Sequence, residues 1–212
     1  MQINSSREEI LQRIAAAPKR RSVFVETLLT PTHPIYKAIE PDSITCFKNE
    51  LKAINGECII CENETDLYNQ LKSFIEIHAF PAIYCRDSYI SRQLQDFDIP
   101  CTCNQDEFIE MQVGITGCEF LIARTGSVMV SSASESGRQM NVFPPVHIVL
   151  AHISQLIDYP ENALMALQEK YGEFLPSTIS TITGPSRTAD IEKTLVLGAH
   201  GPKEFVVFLA KV

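Results

Sequence analysis

Thr183-Gly184-Pro185-Ser186-Arg187-Thr188-Ala189-Asp190-Ile191-Glu192 is the stretch on which the reading of this chain turns. Ahead of it, Ser177 to Thr183 is rich in Thr and Ile, residues that strands favour. Gly184-Pro185 suits neither a central strand nor a helix interior, so the chain is expected to turn there. Ser186 then opens a helix-compatible segment that ends at Gly198. The first backbone N–H groups of a helix have no internal partner, and Ser186, Arg187 and Thr188 add two hydroxyls and a guanidinium, a set suited to an anion such as phosphate or carboxylate. An ordinary Ser or Thr helix cap beside a solvated Arg is the plainer reading of the same residues.

Working outward, Leu195-Val196-Leu197 runs into Gly198-Ala199-His200-Gly201-Pro202, a second glycine-rich turn. The apolar run Phe205 to Ala210 follows and reads as the last strand. Two glycine turns thus flank one short helical segment, and Gly184, Ser186, Arg187, Thr188, His200 and Gly201 become candidate ligand-binding residues.

These residues carry a family resemblance. Gly184 to Glu192 followed by Gly198 to Pro202 resembles the C-terminal signature of the LUD-domain family, of the lactate-utilisation protein C type. Gly114-Ile115-Thr116-Gly117, the hairpin Phe120 to Val130 around Thr125-Gly126, and Pro144-Pro145-Val146-His147 fit the same family, so the resemblance covers residues 110 to 212. It implies a fold similar to ribose-phosphate isomerases, CoA transferases and formyltetrahydrofolate cyclo-ligases. It also implies a part in oxidising L-lactate to pyruvate beside iron–sulfur oxidoreductase subunits. Two departures stand out: Arg124 occupies a commonly acidic position, and Ser134-Glu135-Ser136 replaces a more glycine-rich loop.

The rest of the chain alternates helix and short apolar strand. Ser6 and Glu9 have capping-box spacing, with Ile10, Leu11 and Ile14 on one face of a short opening helix. Residues 19–41 combine Lys19-Arg20-Arg21 with Pro31, Pro34 and Pro41, which suggests an extended arm, so an arm region 1–41 is set apart from an α/β domain 42–212. Ile44, Phe47, Leu51 and Ile54 mark one helix, Leu67, Leu71, Phe74 and Ile75 a second, and Asp87 caps a third; Cys58 to Cys61 and Ala82 to Cys85 read as strands. The alternation predicts an open, mostly parallel sheet with flanking helices. An antiparallel hairpin is inserted at Phe120–Ala123 and Val128–Val130, joined through Arg124-Thr125-Gly126-Ser127. Ser131 to Gly137 reads as a mobile loop, Val146 to Leu150 as a buried strand, and Leu164, Leu167 and Tyr171 as one face of a helix begun near Pro160.

The 212 residues suffice for a sizeable core, and 45% hydrophobic with 21% charged residues is ordinary for a folded protein. A net charge of −8 argues against nucleic acid as a partner. No apolar run spans a bilayer, and Arg7, Glu8 and Glu9 stand where a signal peptide would turn apolar, so a cytoplasmic protein is expected. Seven cysteines, at 46, 58, 61, 85, 101, 103 and 118, read as free thiols. A four-thiolate zinc site from Cys58, Cys61, Cys101 and Cys103 is the competing reading, but strand residues 58 and 61 point to opposite faces, so neither metal nor cofactor is expected.

His147, after Pro144-Pro145 at a strand start, and His200 in the second turn are candidates for binding a carboxylate or moving a proton; each also reads as a structural ring. Glu119 reads either as a general base or as a surface strand-edge residue. No catalytic residue is assigned. Two functions remain open: an accessory subunit of a lactate-oxidising system, or an enzyme acting on a phosphorylated or carboxylated small molecule.

Overall fold

The computed structural model describes residues 6–17, 36–81, 83–188 and 196–211. The chain divides into two compact units, residues 1–35 and 36–212. In the first, helix α1 (Ser6–Ala16) carries Glu8 and Glu9 in its first turn and Arg13 in its last, as the helix dipole favours. Its stripe of Ile10, Leu11 and Ile14 is exposed. The basic run and all but the end of the proline-rich arm lie outside the described residues.

The second unit runs α2 (Ser43–Ala53), β1 (Glu57–Cys61), α3 (Glu64–His78), β2 (Ile83–Cys85), α4 (Ser88–Asp96), β3 (Val113–Thr116), β4 (Phe120–Ile122), β5 (Ser127–Ser131), β6 (Val146–His152), β7 (Leu156–Ile157), α5 (Pro160–Tyr171), β8 (Ile179–Ile182), β9 (Arg187–Thr188), β10 (Val196–Leu197) and β11 (Glu204–Ala210). Five of these strands form a wholly parallel sheet, ordered β1-β11-β6-β3-β2. Both faces are covered, which is why β11 and β6 are apolar almost throughout. On one face Ile148, Leu150, Val206 and Phe208 pack with Leu67 and Leu71 of α3 and Leu94 of α4. On the other, Val149, Phe205 and Val207 meet Phe47 and Leu51 of α2 together with Leu121 and Val128. Cys61 joins the first core and Cys58 the second, the opposite-face placement that a strand dictates.

Side-chain caps set the helix starts: Asp42 accepts from Thr45 N at 2.9 Å, Asn63 from Asp66 N at 2.9 Å and Asp87 from Ile90 N at 3.0 Å. The hairpin β4–β5 grows into a second, mixed sheet, β7-β4-β5-β8. Helix α5 covers it, burying Ala163 and Leu167 against Ile122 and Met129. Among the described residues no helix is long and apolar enough to cross a membrane.

One expectation fails. Ser186 does not begin a helix: Arg187–Thr188 is strand β9, paired antiparallel with Val196–Leu197. The Ser186 N–H donates to Pro202 O at 2.8 Å, and Ser186 O accepts from Gly198 N at 2.9 Å, so cross-turn bonds occupy the backbone groups that a helix start would have left open. The remainder of the expected helix, 189–195, lies outside the described residues.

Candidate functional site

Ligands of open α/β sheets gather beyond the carboxyl ends of the strands, and a cleft of about 250 Å³ lies there, past Thr116 at the end of β3. Gly117 and Cys118 turn the chain out of the parallel sheet toward β4, held by the Gln155 side-chain amide donating to Cys118 O at 2.6 Å. The next residue, Glu119, pairs its backbone N–H with Met129 O at 2.8 Å and faces the cleft.

Glu119 is 7% exposed, so the reading of it as a surface edge residue is corrected. A lone carboxylate with that burial would be costly, and three donors offset the cost. Oε1 accepts from Ser131 Oγ at 2.5 Å and from the Tyr171 hydroxyl at 2.8 Å; Oε2 accepts from Lys170 Nζ at 2.7 Å. Burial alone would raise the carboxyl's pKa, but the bonds from Lys170, Ser131 and Tyr171 outweigh it and hold the group below the usual carboxylate range. The bond to Glu119 in turn raises the Lys170 ammonium above its ordinary value.

The cleft's far wall is the loop from Ser131 to Gly137. Rather than standing apart, it is fastened at several points: Ser131 to Glu119, Ser132 N to Thr178 O at 2.9 Å, and Glu135 Oε2 accepting from Ser88 N at 2.7 Å at the start of α4. Ser136 is 2% exposed and lines the cleft, yet its Oγ has no hydrogen-bond partner among the described residues. Thr116 binds His147 Nε2 at 2.8 Å beneath the cleft. His147 is fully buried, its Nδ1 has no partner among the described residues, and burial pulls its pKa down to about 4, so the ring is neutral at pH 7.

The other residues singled out from sequence fall elsewhere. Gly184, at φ +75°, packs on Ile54 O, and Arg187 donates to that same carbonyl at 2.7 Å, so both close on the C-cap of α2. Gly201 lies against Ser186, Thr188 belongs to β9, and His200 is exposed. None of these residues lines the cleft. Arg124, the departure from an acidic position, forms an ion pair with Glu50 of α2.

Lys170, Tyr171, Ser131 and Ser136 were missed because their convergence is tertiary. One local signal was available: a single carboxylate, Glu119, set between Cys118 and the apolar Phe120-Leu121-Ile122 implies a buried, paired charge. Among the described residues no three His, Cys, Asp or Glu side chains gather as metal ligands. Burial pushes the thiols of Cys58, Cys61, Cys85 and Cys118 up to about 12, which keeps them protonated and poor nucleophiles.

Comparison with known proteins agrees with this architecture. The chain is similar to lactate utilization protein C of Bacillus subtilis, 29% identical over 223 aligned residues that cover 93% of this chain and 92% of that one. A Neisseria meningitidis protein is 38% identical over 107 residues, 50% of this chain and 45% of its own length, so that match spans under half of the relative. Among solved structures, a DUF162 family protein from Deinococcus radiodurans has the same fold: TM-score 0.59 at 14% identity, covering 82% of this chain and 99% of that one. A ribose 5-phosphate isomerase A from Methanocaldococcus jannaschii aligns with a TM-score of 0.32, too loosely to bear on the fold. The LUD domain model matches residues 44–210, and the chain belongs to the LUD-domain family.

Proposed function

We propose that this chain serves lactate utilisation as an accessory subunit working beside iron–sulfur oxidoreductase partners in the cytoplasm, where L-lactate is oxidised to pyruvate. The observation that carries this reading is the end-to-end match to relatives named lactate utilization protein C, 92% or more of the chain in each of two Bacillus species. The cleft past β3 is where the chain would meet a small acid, since it joins an ionised carboxylate, an ammonium and hydroxyls. The test is deletion of the gene in its native host, with growth on L-lactate and on glucose compared. Loss of growth on L-lactate alone, together with iron–sulfur proteins recovered on the tagged chain, is the expected result. Undiminished growth on L-lactate removes the proposal.

The second reading, an enzyme acting on a carboxylated or phosphorylated small molecule, is favoured by Glu119 and Lys170 facing one cleft. Turnover by the isolated chain would favour it over the accessory role.

A further inference from the structure

A second pocket, of about 240 Å³, lies next to the cleft and shares Asp87, Gly117 and Cys118 with it. Its other walls come from α3, α4 and the end of β6 with the chain just after it, and neither Glu119 nor Lys170 lines it. Its charge is one-sided: Glu64 and Asp87 face it, and among the described residues no Lys or Arg does. Each carboxylate is only half engaged. Glu64 Oε1 accepts from the Tyr89 hydroxyl at 2.8 Å and Asp87 Oδ1 from Ile90 N at 3.0 Å, which leaves the second oxygen of each without a hydrogen bond among the described residues.

Tyr68 supplies an independent sign of a ligand. Its ring stacks on Phe97 at 5.0 Å and the residue is only 3% exposed, yet its hydroxyl, at the pocket wall, has no hydrogen-bond partner among the described residues. Burial, with Glu64 beside it, raises the phenol above its ordinary value, so the group stays protonated. A hydroxyl so buried is costly unless something bonds it, and a ligand in the pocket would. His152 adds an acceptor nitrogen in its neutral form. Glu64, Asp87 and His152 do not gather closely enough to hold a metal ion, and Leu67, Ile90 and Leu150 give the pocket an apolar floor. Spread acceptors above apolar side chains match an organic cation with a short hydrocarbon body.

We infer that this pocket binds a primary ammonium on a short apolar stem: the ammonium donates to Glu64, Asp87 and the Tyr68 oxygen, and the stem lies on Leu67, Ile90 and Leu150. The assignment stands apart from the lactate reading, because it uses none of the residues proposed to meet the acid. No bond is made or broken.

The test is nuclear magnetic resonance titration of the full chain with n-butylammonium, against n-butanol, which is neutral, and butyrate, which is anionic. Butylammonium is expected to shift the amide signals of residues 64–68, 87–90 and 150–152, to leave those of 132–137 in place, and to bind about tenfold or more tighter than butanol, the effect of charge-assisted hydrogen bonds. Tyr68→Phe keeps the ring on Phe97, and Asp87→Asn keeps a side chain that caps α4. Both are expected to melt close to the parent and to bind butylammonium about tenfold more weakly, as is Glu64→Gln. Nα-acetyl-lysine N-methylamide carries the same ammonium and stem: tighter binding of it than of butylammonium places the cation on a partner protein's lysine, weaker binding on a free amine. Equal affinity for butylammonium and butanol, shifts confined to other residues, or unchanged affinity in the folded Tyr68→Phe and Glu64→Gln proteins overturns the assignment.

Discussion

Lys170 Nζ lies 2.7 Å from Glu119 Oε2, a contact that joins the last turn of α5 to the entrance of β4 across 51 residues of chain. Glu119 is almost wholly buried while Lys170 is half exposed, so the carboxylate depends on the pair more than the ammonium does. The bond also ties α5 to the cleft it borders.

Lys170→Met should therefore destabilise the protein by about 1–2 kcal/mol, the low end for stranding a buried charge because Tyr171 and Ser131 still donate. The double variant Lys170→Met with Glu119→Gln should recover part of that loss, since no charge is then left uncompensated. Urea denaturation of the three proteins measures both. The pH dependence has a fixed sign. The folded carboxyl of Glu119 lies below its ordinary 4.5, so its contribution is present above that value and lost as pH falls through the folded pKa. Glu119→Gln should flatten that part of the acid limb.

His147 adds a second acid sensitivity at higher pH. Its folded pKa is depressed from 6.5 to about 4, so the neutral ring stabilises the fold above pH 6.5 and that contribution declines as pH falls from 6.5 toward 4. The full loss is about 3 kcal/mol at most. Denaturant midpoints at pH 7 and pH 4.5 should differ less in His147→Leu than in the parent; an equal difference would show that the ring is not the titrating group.

Much of the fold was legible because periodicity survives wherever an element is long and faces one core. Phe47 and Leu51 sit on α2 with zero exposure, as their helical spacing required, and the run Phe205 to Ala210 became β11, an interior strand of the parallel sheet between β1 and β6. Legibility ended where pairing is short or distant. Strands β7, β9 and β10 have two residues each, too few for any period, so Ser186-Arg187-Thr188 read equally well as a helix start. The cleft is harder still, because Glu119 acquires its meaning from Ser131, Lys170 and Tyr171, which only the folded sheets and α5 bring to it.

Gly126 is a point where sequence and packing agree. It closes the turn between β4 and β5 at φ +59°, and a Cβ there would lie 2.3 Å from Leu51 N in the backbone of α2. Backbone cannot yield as a flexible side chain can, and the left-handed conformation is itself strained for alanine. Gly126→Ala should cost about 2–4 kcal/mol. A thermal midpoint within a degree of the parent would mean that the turn and α2 are not so tightly apposed.

Arg187 provides the sharpest separation of a structural from a ligand-binding role. Its guanidinium donates to Ile54 O, the C-cap carbonyl of α2, where the helix's partial negative charge gathers. Gly184 presses on the same carbonyl: a Cβ there would lie 2.8 Å from Ile54 O, at a φ of +75°. The turn between β8 and β9 is thus fitted to the end of α2 by both its backbone and its cation. Because the Arg187 side chain is exposed, Arg187→Ala should cost only about 0.5–1 kcal/mol, the scale of a cation at a helix C-terminus. Gly184→Ala, which meets backbone and strain together, should cost about 2 kcal/mol or more. Arg187→Lys should keep part of the effect, since an ammonium still compensates the helix end without reproducing the guanidinium geometry. Melting curves decide the matter: a midpoint in Arg187→Ala equal to that of the parent would remove the helix-capping role assigned to it.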